Sequence, residues 1–125
     1  MIEILPAPDH VAAYRLDGRL TADDYDVMIA DIEGRLARHE HLAVYSDASG
    51  FADMTPEAMA KDFHYSFSKV GQWSRFRRAA IVTDLGWMKA LVKVFSPLVP
   101  GLDARAFEPG RQAEALAWVS EPSPD

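Results

Sequence analysis

The stretch RRAAIVTD, residues 77–84, has an uninterrupted apolar centre from Ala79 to Val82. No polar residue alternates through it, so as a strand it reads as covered on both faces, the pattern of a position inside a parallel sheet. That reading has a topological consequence. Parallel neighbours cannot be joined by a tight turn and need a crossover of a dozen or more residues, usually a helix. Helical patterns are therefore expected on both sides of this segment in the chain.

They are there. Thr55-Pro56 has the form of a helix start, with an N-cap threonine and proline in the first helical position. Met59, Phe63, Phe67 and Val70 follow at steps of four, four and three as the expected buried stripe of a helix running to about Val70. After residues 77–84, Asp84 is expected to cap a third helix that begins GWMKALVKVF. Upstream, IEIL (2–5) and HVAAYRLDG (10–18) read as an antiparallel strand pair linked by Pro6-Ala7-Pro8-Asp9. Thr21-Ala22-Asp23-Asp24 opens the first helix, whose acids come early and whose Arg35 and Arg38 come late. Tyr25, Met28, Ile29, Ile32 and Leu36 share one of its sides. LAVYSD (42–47) reads as a strand, SGFADM (49–54) as a loop, DARAFE (103–108) as a fifth strand and RQAEALAWV (111–119) as a last helix. The order β-β-α-β-α-β-α-β-α predicts an α/β fold, a mixed five-stranded sheet packed with helices. At 125 residues the chain suits one domain, expected over 1–120, with EPSPD (121–125) as a frayed tail.

Charge narrows the partners. The formal net charge of −6 argues against nucleic acid, whose binding rests on neutralising phosphates. The average conceals an asymmetry, because residues 69–93 hold six bases against the single acid Asp84, a local +5 that leaves −11 for the rest. The absence of cysteine excludes a disulfide framework and thiolate metal sites. The opening MIEILPAPDH lacks the basic-then-apolar form of a secretory signal, so the cytoplasm is the expected location.

Several segments together carry a family resemblance. MIEILP, DGRLTADDYD, LAVYSDASGF with MTPEAMAKDF, FRRAAIVTD with GWMKALVKVFSP, and the closing EALAWV resemble the SpoIIAA-like family, bacterial relatives of the STAS domains. The resemblance implies a STAS-like α/β domain. Its grouping includes anti-sigma-factor antagonists, transporter-associated modules and, by likeness of fold, lipid-carrying domains of the CRAL-TRIO type. It implies no enzymatic activity and no cofactor. Anti-sigma antagonists carry a phosphorylatable serine at the start of a helix, but here that helix begins Asp53-Met54-Thr55-Pro56 and Ser49-Gly50 lies earlier. The plainer role for Thr55 is to cap.

GWMKALVKVFSPLVPG (86–101) is the candidate functional segment. Projected at about 100° per residue, Gly86, Lys89, Lys93 and Ser96 share one sector roughly 80° wide. Leu85, Trp87, Met88, Ala90, Leu91, Val92, Val94 and Phe95 occupy the remainder. That is more apolar perimeter than a sheet requires of a helix. Either neighbouring helices cover the surplus, or it meets a ligand, a lipid surface or a second subunit. Basic side chains beside an apolar helix suit an acyl chain with an anionic head, or peripheral association with an anionic membrane. The candidate apolar contacts are Trp87, Met88, Leu91 and Phe95, with Phe63 and Phe67 facing them from the second helix; Arg78, Lys89 and Lys93 are the candidates for the head group. The alternative is a protein-interaction module, a homodimer or a regulator docked on a partner, using the same surface.

Catalytic patterns are scarce. There is no glycine-rich phosphate loop, nucleophile elbow or zinc-protease histidine pair. His39-Glu40-His41 lacks further recognisable ligands for a metal. His64 lies beside Tyr65 and near Asp62, but adjacent helix positions point apart, so the three form no site by sequence proximity. Asp47 and Asp84 are expected at carboxyl ends of strands, where capping accounts for them as well as catalysis does.

Overall fold

The computed structural model describes residues 1–121 and, of Phe95, the backbone alone. Two strands, β1 (Ile2–Ile4) and β2 (Val11–Leu20), lead into α1 (Ala22–Arg38). β3 (Leu42–Met54), α2 (Pro56–Ser68), β4 (Phe76–Val82), α3 (Gly86–Phe95), β5 (Asp103–Phe107) and α4 (Gln112–Ser120) follow. Short 3-10 turns at Val70–Arg75 and Ser96–Leu98 extend α2 and α3 toward the next strands. Of the tail expected at 121–125, residues 122–125 lie outside the described residues.

The strands lie side by side in chain order, β1-β2-β3-β4-β5. β1 is antiparallel to β2, and every later pair is parallel, so the sheet is mixed as expected. Because parallel crossovers are right-handed and each here advances in the same direction, α1, α2 and α3 share one face of the sheet. α4 covers the other. The alternation along the strands divides the core accordingly. Ala12, Tyr14 and Leu42 turn toward Tyr25, Ile32 and Leu36 of α1 and Ala58 of α2. Val11, Ala13, Ala43, Tyr45, Ala80 and Val82 turn toward Ala115 and Val119 of α4. The three alanines on that side let one nine-residue helix settle close to the strands.

The helix starts are legible in their caps. Asp24 donates its amide to Thr21 Oγ1 at 3.3 Å, while its carboxylate accepts the Thr21 amide at 2.8 Å, a reciprocal capping box. Thr55 Oγ1 accepts the Ala58 amide at 3.0 Å and Pro56 sits in the first turn, so Thr55 caps α2. The end of α1 is closed from a distance. Arg75 donates to the carbonyls of Leu36 and His39 at 2.7 Å and of Glu40 at 2.8 Å, satisfying acceptors that a helix terminus leaves free.

Three expectations are corrected. Residues 49–54 are strand rather than loop: β3 continues beside Asp17–Leu20 of β2, and two register shifts give it extra residues relative to its partner. Ser49-Gly50 reads locally as a turn, but the long-range partner prevails. Asp84 is exposed and does not occupy the cap position; the N-cap of α3 is Leu85, whose amide is taken by Thr83 Oγ1 at 3.0 Å. The stripe Met59, Phe63, Phe67 and Val70 is exposed rather than buried.

α1 is bound to the sheet by a polar chain as well as by its apolar side. The fully buried Tyr14 donates its hydroxyl to Asp31 at 2.7 Å, and Asp31 accepts Arg35 Nε at 2.8 Å. Arg35 then donates to the Asp9 carbonyl at 2.9 Å, in the link between β1 and β2. Burial first, and the Asp31 carboxylate second, push the Tyr14 phenol far above its ordinary range, so it remains a donor. Tyr14→Phe should lower unfolding stability by about 1.5–3 kcal/mol, the net value of a hydrogen bond to a charged acceptor. A urea midpoint unchanged from wild type would contradict this role.

Candidate functional site

α2 turns its two sides the opposite way from the apolar-in pattern. Ala58, Asp62, Tyr65 and Lys69, at steps of four, three and four, form its covered side. Its attachment to α1 is largely polar. Tyr65 donates to Glu33 at 3.1 Å, Lys69 pairs with Glu33 at 2.8 Å and Lys61 pairs with Asp26. The Lys69 ammonium is the main influence holding Glu33 below the usual carboxylate range. Asp62, near Tyr25 of the core, is pushed above that range by desolvation. The apolar stripe is left outward, with Phe63 55% and Phe67 67% exposed and their rings stacked at 6.4 Å.

α3 also withholds apolar surface from the core. Met88 points inward at 8% exposure, but Trp87 is 54% and Leu91 45% exposed. Val94 is exposed too, as is Leu98 in the following 3-10 turn. The side chain of Phe95 lies outside the described residues. Trp87 meets Phe51 edge-on at 6.3 Å. Since Phe51 packs against the α1 side of the core, this contact puts α3 on that side. Ser96 ties the end of α3 to β5, its hydroxyl accepting the Ala104 amide at 3.2 Å. Lys93 is exposed, whereas Lys89 is paired with Glu108 at 2.5 Å. In the sheet, Val44 and its partner Ala79, with Ile81 one step further on the same face, are only partly covered.

The structure thus puts Phe63, Phe67, Trp87, Leu91, Lys89 and Lys93 on one side of the sheet, with α2 packed mainly on α1 and α3 mainly on β5 rather than on each other. It separates two others. Met88 belongs to the interior, and Arg78 lies across the sheet from α3. Arg78 shares its face with Ala80 and Val82, donates to the Trp118 carbonyl at 2.7 Å and lies 5.0 Å from the Trp118 ring. Its place in the basic segment 69–93 suggests a head-group role beside α3; strand alternation sends it the other way. Phe51 was missed because its segment read as a loop. Met59, Val70, Val94 and Leu98 join the exposed set, and the four-residue spacing of Met59 with Phe63 and Phe67 was the signal for the first of them.

The polar candidates disperse. His39 meets Asp9 at 2.7 Å while His41 meets Arg77 at 3.0 Å, so the two imidazoles of His39-Glu40-His41 take different partners and share no ligand geometry. Among the described residues, no three His, Asp or Glu side chains are grouped to hold a metal. Asp47 accepts both the amide and the hydroxyl of Ser49, at 3.1 and 2.6 Å, and so organises the strand locally. No helix among the described residues is long and apolar enough to cross a membrane.

The sheet order, with three crossovers on one face and a terminal helix on the other, corresponds to a known family, whose SpoIIAA-like model matches residues 11–120. The chain belongs to the SpoIIAA-like family. A crystal structure with a SpoIIAA-like fold, that of an uncharacterized DUF3478-family protein from Shewanella loihica PV-4, is 24% identical to this SpoIIAA-like domain. The two superpose with a TM-score of 0.68, covering 95% of this chain and 92% of the other. That likeness concerns the fold. No curated protein matches the chain.

The partly buried carboxyl of Asp62 generates a signed expectation. Its raised folded value means that the native state binds the proton more tightly, so stability falls as pH rises through the interval above the ordinary aspartate value of about 3.9. Asp62→Asn should therefore raise the thermal midpoint at pH 7, and the gain should vanish below about pH 4. A variant less stable than wild type at pH 7 would count against a desolvated, unpartnered carboxylate.

Proposed function

We propose that this SpoIIAA-like domain is a non-enzymatic binding module that docks on an anionic amphiphile, peripherally on a lipid surface, through the outward sides of α2 and α3. The observation that carries the reading is the exposure, among the described residues, of eight large apolar side chains between Met59 and Leu98. Complete burial of such a side chain is worth about 1.5–3 kcal/mol, so each half-exposed one retains roughly half of that for association. Phe63, Phe67, Trp87 and Leu91 are the apolar contacts, and Lys89 and Lys93 meet the anionic head groups. Lys93 is exposed for this; Lys89 must exchange its pairing with Glu108. The chain's overall charge of −6 opposes a general electrostatic attraction, so binding depends on apolar insertion assisted by two local bases.

Flotation with vesicles of phosphatidylcholine and phosphatidylglycerol tests the proposal. Wild type should float with the mixed vesicles and much less with phosphatidylcholine alone, and Lys89→Glu with Lys93→Glu should leave the protein at the bottom. Trp87 emission should move to the blue on binding, a shift absent in Trp87→Phe. A protein that ignores both vesicle types overturns the reading. If instead it sediments as a dimer whose self-association is abolished by Leu91→Ser, the surface is an interface between copies and the lipid reading fails.

A further inference from the structure

On the opposite side of the domain from that apolar surface, the amino ends of β2, β3 and β4 enclose a cleft of about 270 Å³. Three of the chain's four histidines line it, His10, His39 and His41, with Arg77 and Arg78. They come from separate places: His10 precedes β2, His41 precedes β3, and the arginines open β4. Consecutive residues on a regular strand point to opposite faces, so Arg77 and Arg78 would ordinarily diverge. A register shift prevents that. Leu42 pairs with Phe76 but Ala43 pairs with Arg78, which makes Arg77 an extra residue in β4. Such a bulge breaks the alternation and re-aims a side chain. Both guanidinium-bearing residues therefore line the same cleft.

The donors there are positioned from outside. Arg77 Nη2 lies 3.0 Å from His41 Nε2. A guanidinium only donates, so His41 accepts through Nε2 and holds its proton on Nδ1. Arg78 Nη1 is held by the Trp118 carbonyl and pairs at 3.1 Å with Glu121 at the rim. His10 Nε2 is buried without a hydrogen-bond partner. The floor is apolar, formed by Leu42, Ala43 and Val119. Glu40 and Glu121 are the acids of the rim. The cleft is smaller than the 300 Å³ or more typical of drug-sized ligands, so it suits a compact molecule. A planar carboxylate is satisfied by one guanidinium in two parallel bonds. Donors arriving from three strands suit a tetrahedral anion with more acceptor oxygens.

We propose that this cleft binds the phosphate group of a small phosphorylated molecule, held by Arg77 and Arg78 with the imidazoles of His10 and His41 beside it. The Glu121 carboxylate pairs with Arg78 and is displaced on binding. The site is independent of the lipid-docking surface, since its residues lie at the strand starts and β4–α4 contact rather than on α2 and α3.

Titration with inorganic phosphate, followed through the imidazole nitrogen signals of His10 and His41, tests this directly. The signals should shift saturably, and chloride at equal ionic strength should leave them in place. Glu121→Gln removes the competing carboxylate and should tighten binding several-fold, whereas Arg77→Gln should weaken it about tenfold, the loss expected of a charge-assisted contact. Melting curves are the check that both variants fold, and a gain in Glu121→Gln could not arise from misfolding. No saturable shift, an equal response to chloride, or an unchanged affinity in Glu121→Gln overturns the proposal. A response to phosphatidic acid vesicles without one to soluble phosphate overturns it as well, because the ligand would then be a lipid head group.

Discussion

The attachment of α1 to the sheet is the constraint on which the other elements depend. Its apolar side closes over Tyr14 and Leu42, and the chain Tyr14-Asp31-Arg35 carries the connection through to the Asp9 carbonyl. A buried ionised group is tolerated only when its hydrogen bonds are met, and here each link supplies the next. The second crossover is hung from this first one. α2 reaches α1 through Lys61, Tyr65 and Lys69, while Arg75 binds the carbonyls at the end of α1 and so sets where β4 begins.

Seen from α1 outward, the second and third crossover helices bury less of what their sequences offer than the first. α1 covers its apolar side. α2 keeps Ala58 inside but directs Phe63 and Phe67 to solvent, and α3 buries Met88 while exposing Trp87 and Leu91. A desolvated Asp62 on the covered side of α2 works in the same direction, since it weakens the contact it is part of. Burial is thus concentrated around β2 and β3, and apolar surface accumulates toward β5. The two faces are unequal as well: on the α4 side, alanines at three strand positions allow one short helix to complete the interior.

Local chemistry made the element order readable. Thr21 with Asp24, and Thr55 with Pro56, mark helix starts through hydrogen bonds that need only neighbouring residues. The apolar run of β4 identified a parallel strand because coverage on both faces leaves no alternation to read. What escaped the sequence depended on distance. Residues 49–54 pair with Asp17–Leu20, some thirty residues earlier, and nothing local in Ser49-Gly50 announces that partner. Periodicity groups Met59, Phe63 and Phe67 on one side of α2, but it does not say whether that side meets the protein. Of the proposed contacts on α2 and α3, Trp87 and Leu91 were legible as apolar surplus, whereas Phe63 and Phe67 read as part of a buried stripe; Arg78 was misassigned because its face follows from strand pairing. The histidine-lined cleft had no spacing signal, since residues 10, 41, 77 and 78 meet only where three strands begin.

The extra residue in β4 also bears on how the chain can vary. Ahead of Arg77, the strand is entered from the 3-10 turn; beyond it, Ala80 and Val82 must face α4. A shift of one position in an unbroken strand would send both outward and ruin the interior. The bulge works as a slack coupling between these halves. Changes in length before it can be taken up locally, so the entrance to the strand is free to diversify while the seating of α4 stays constant.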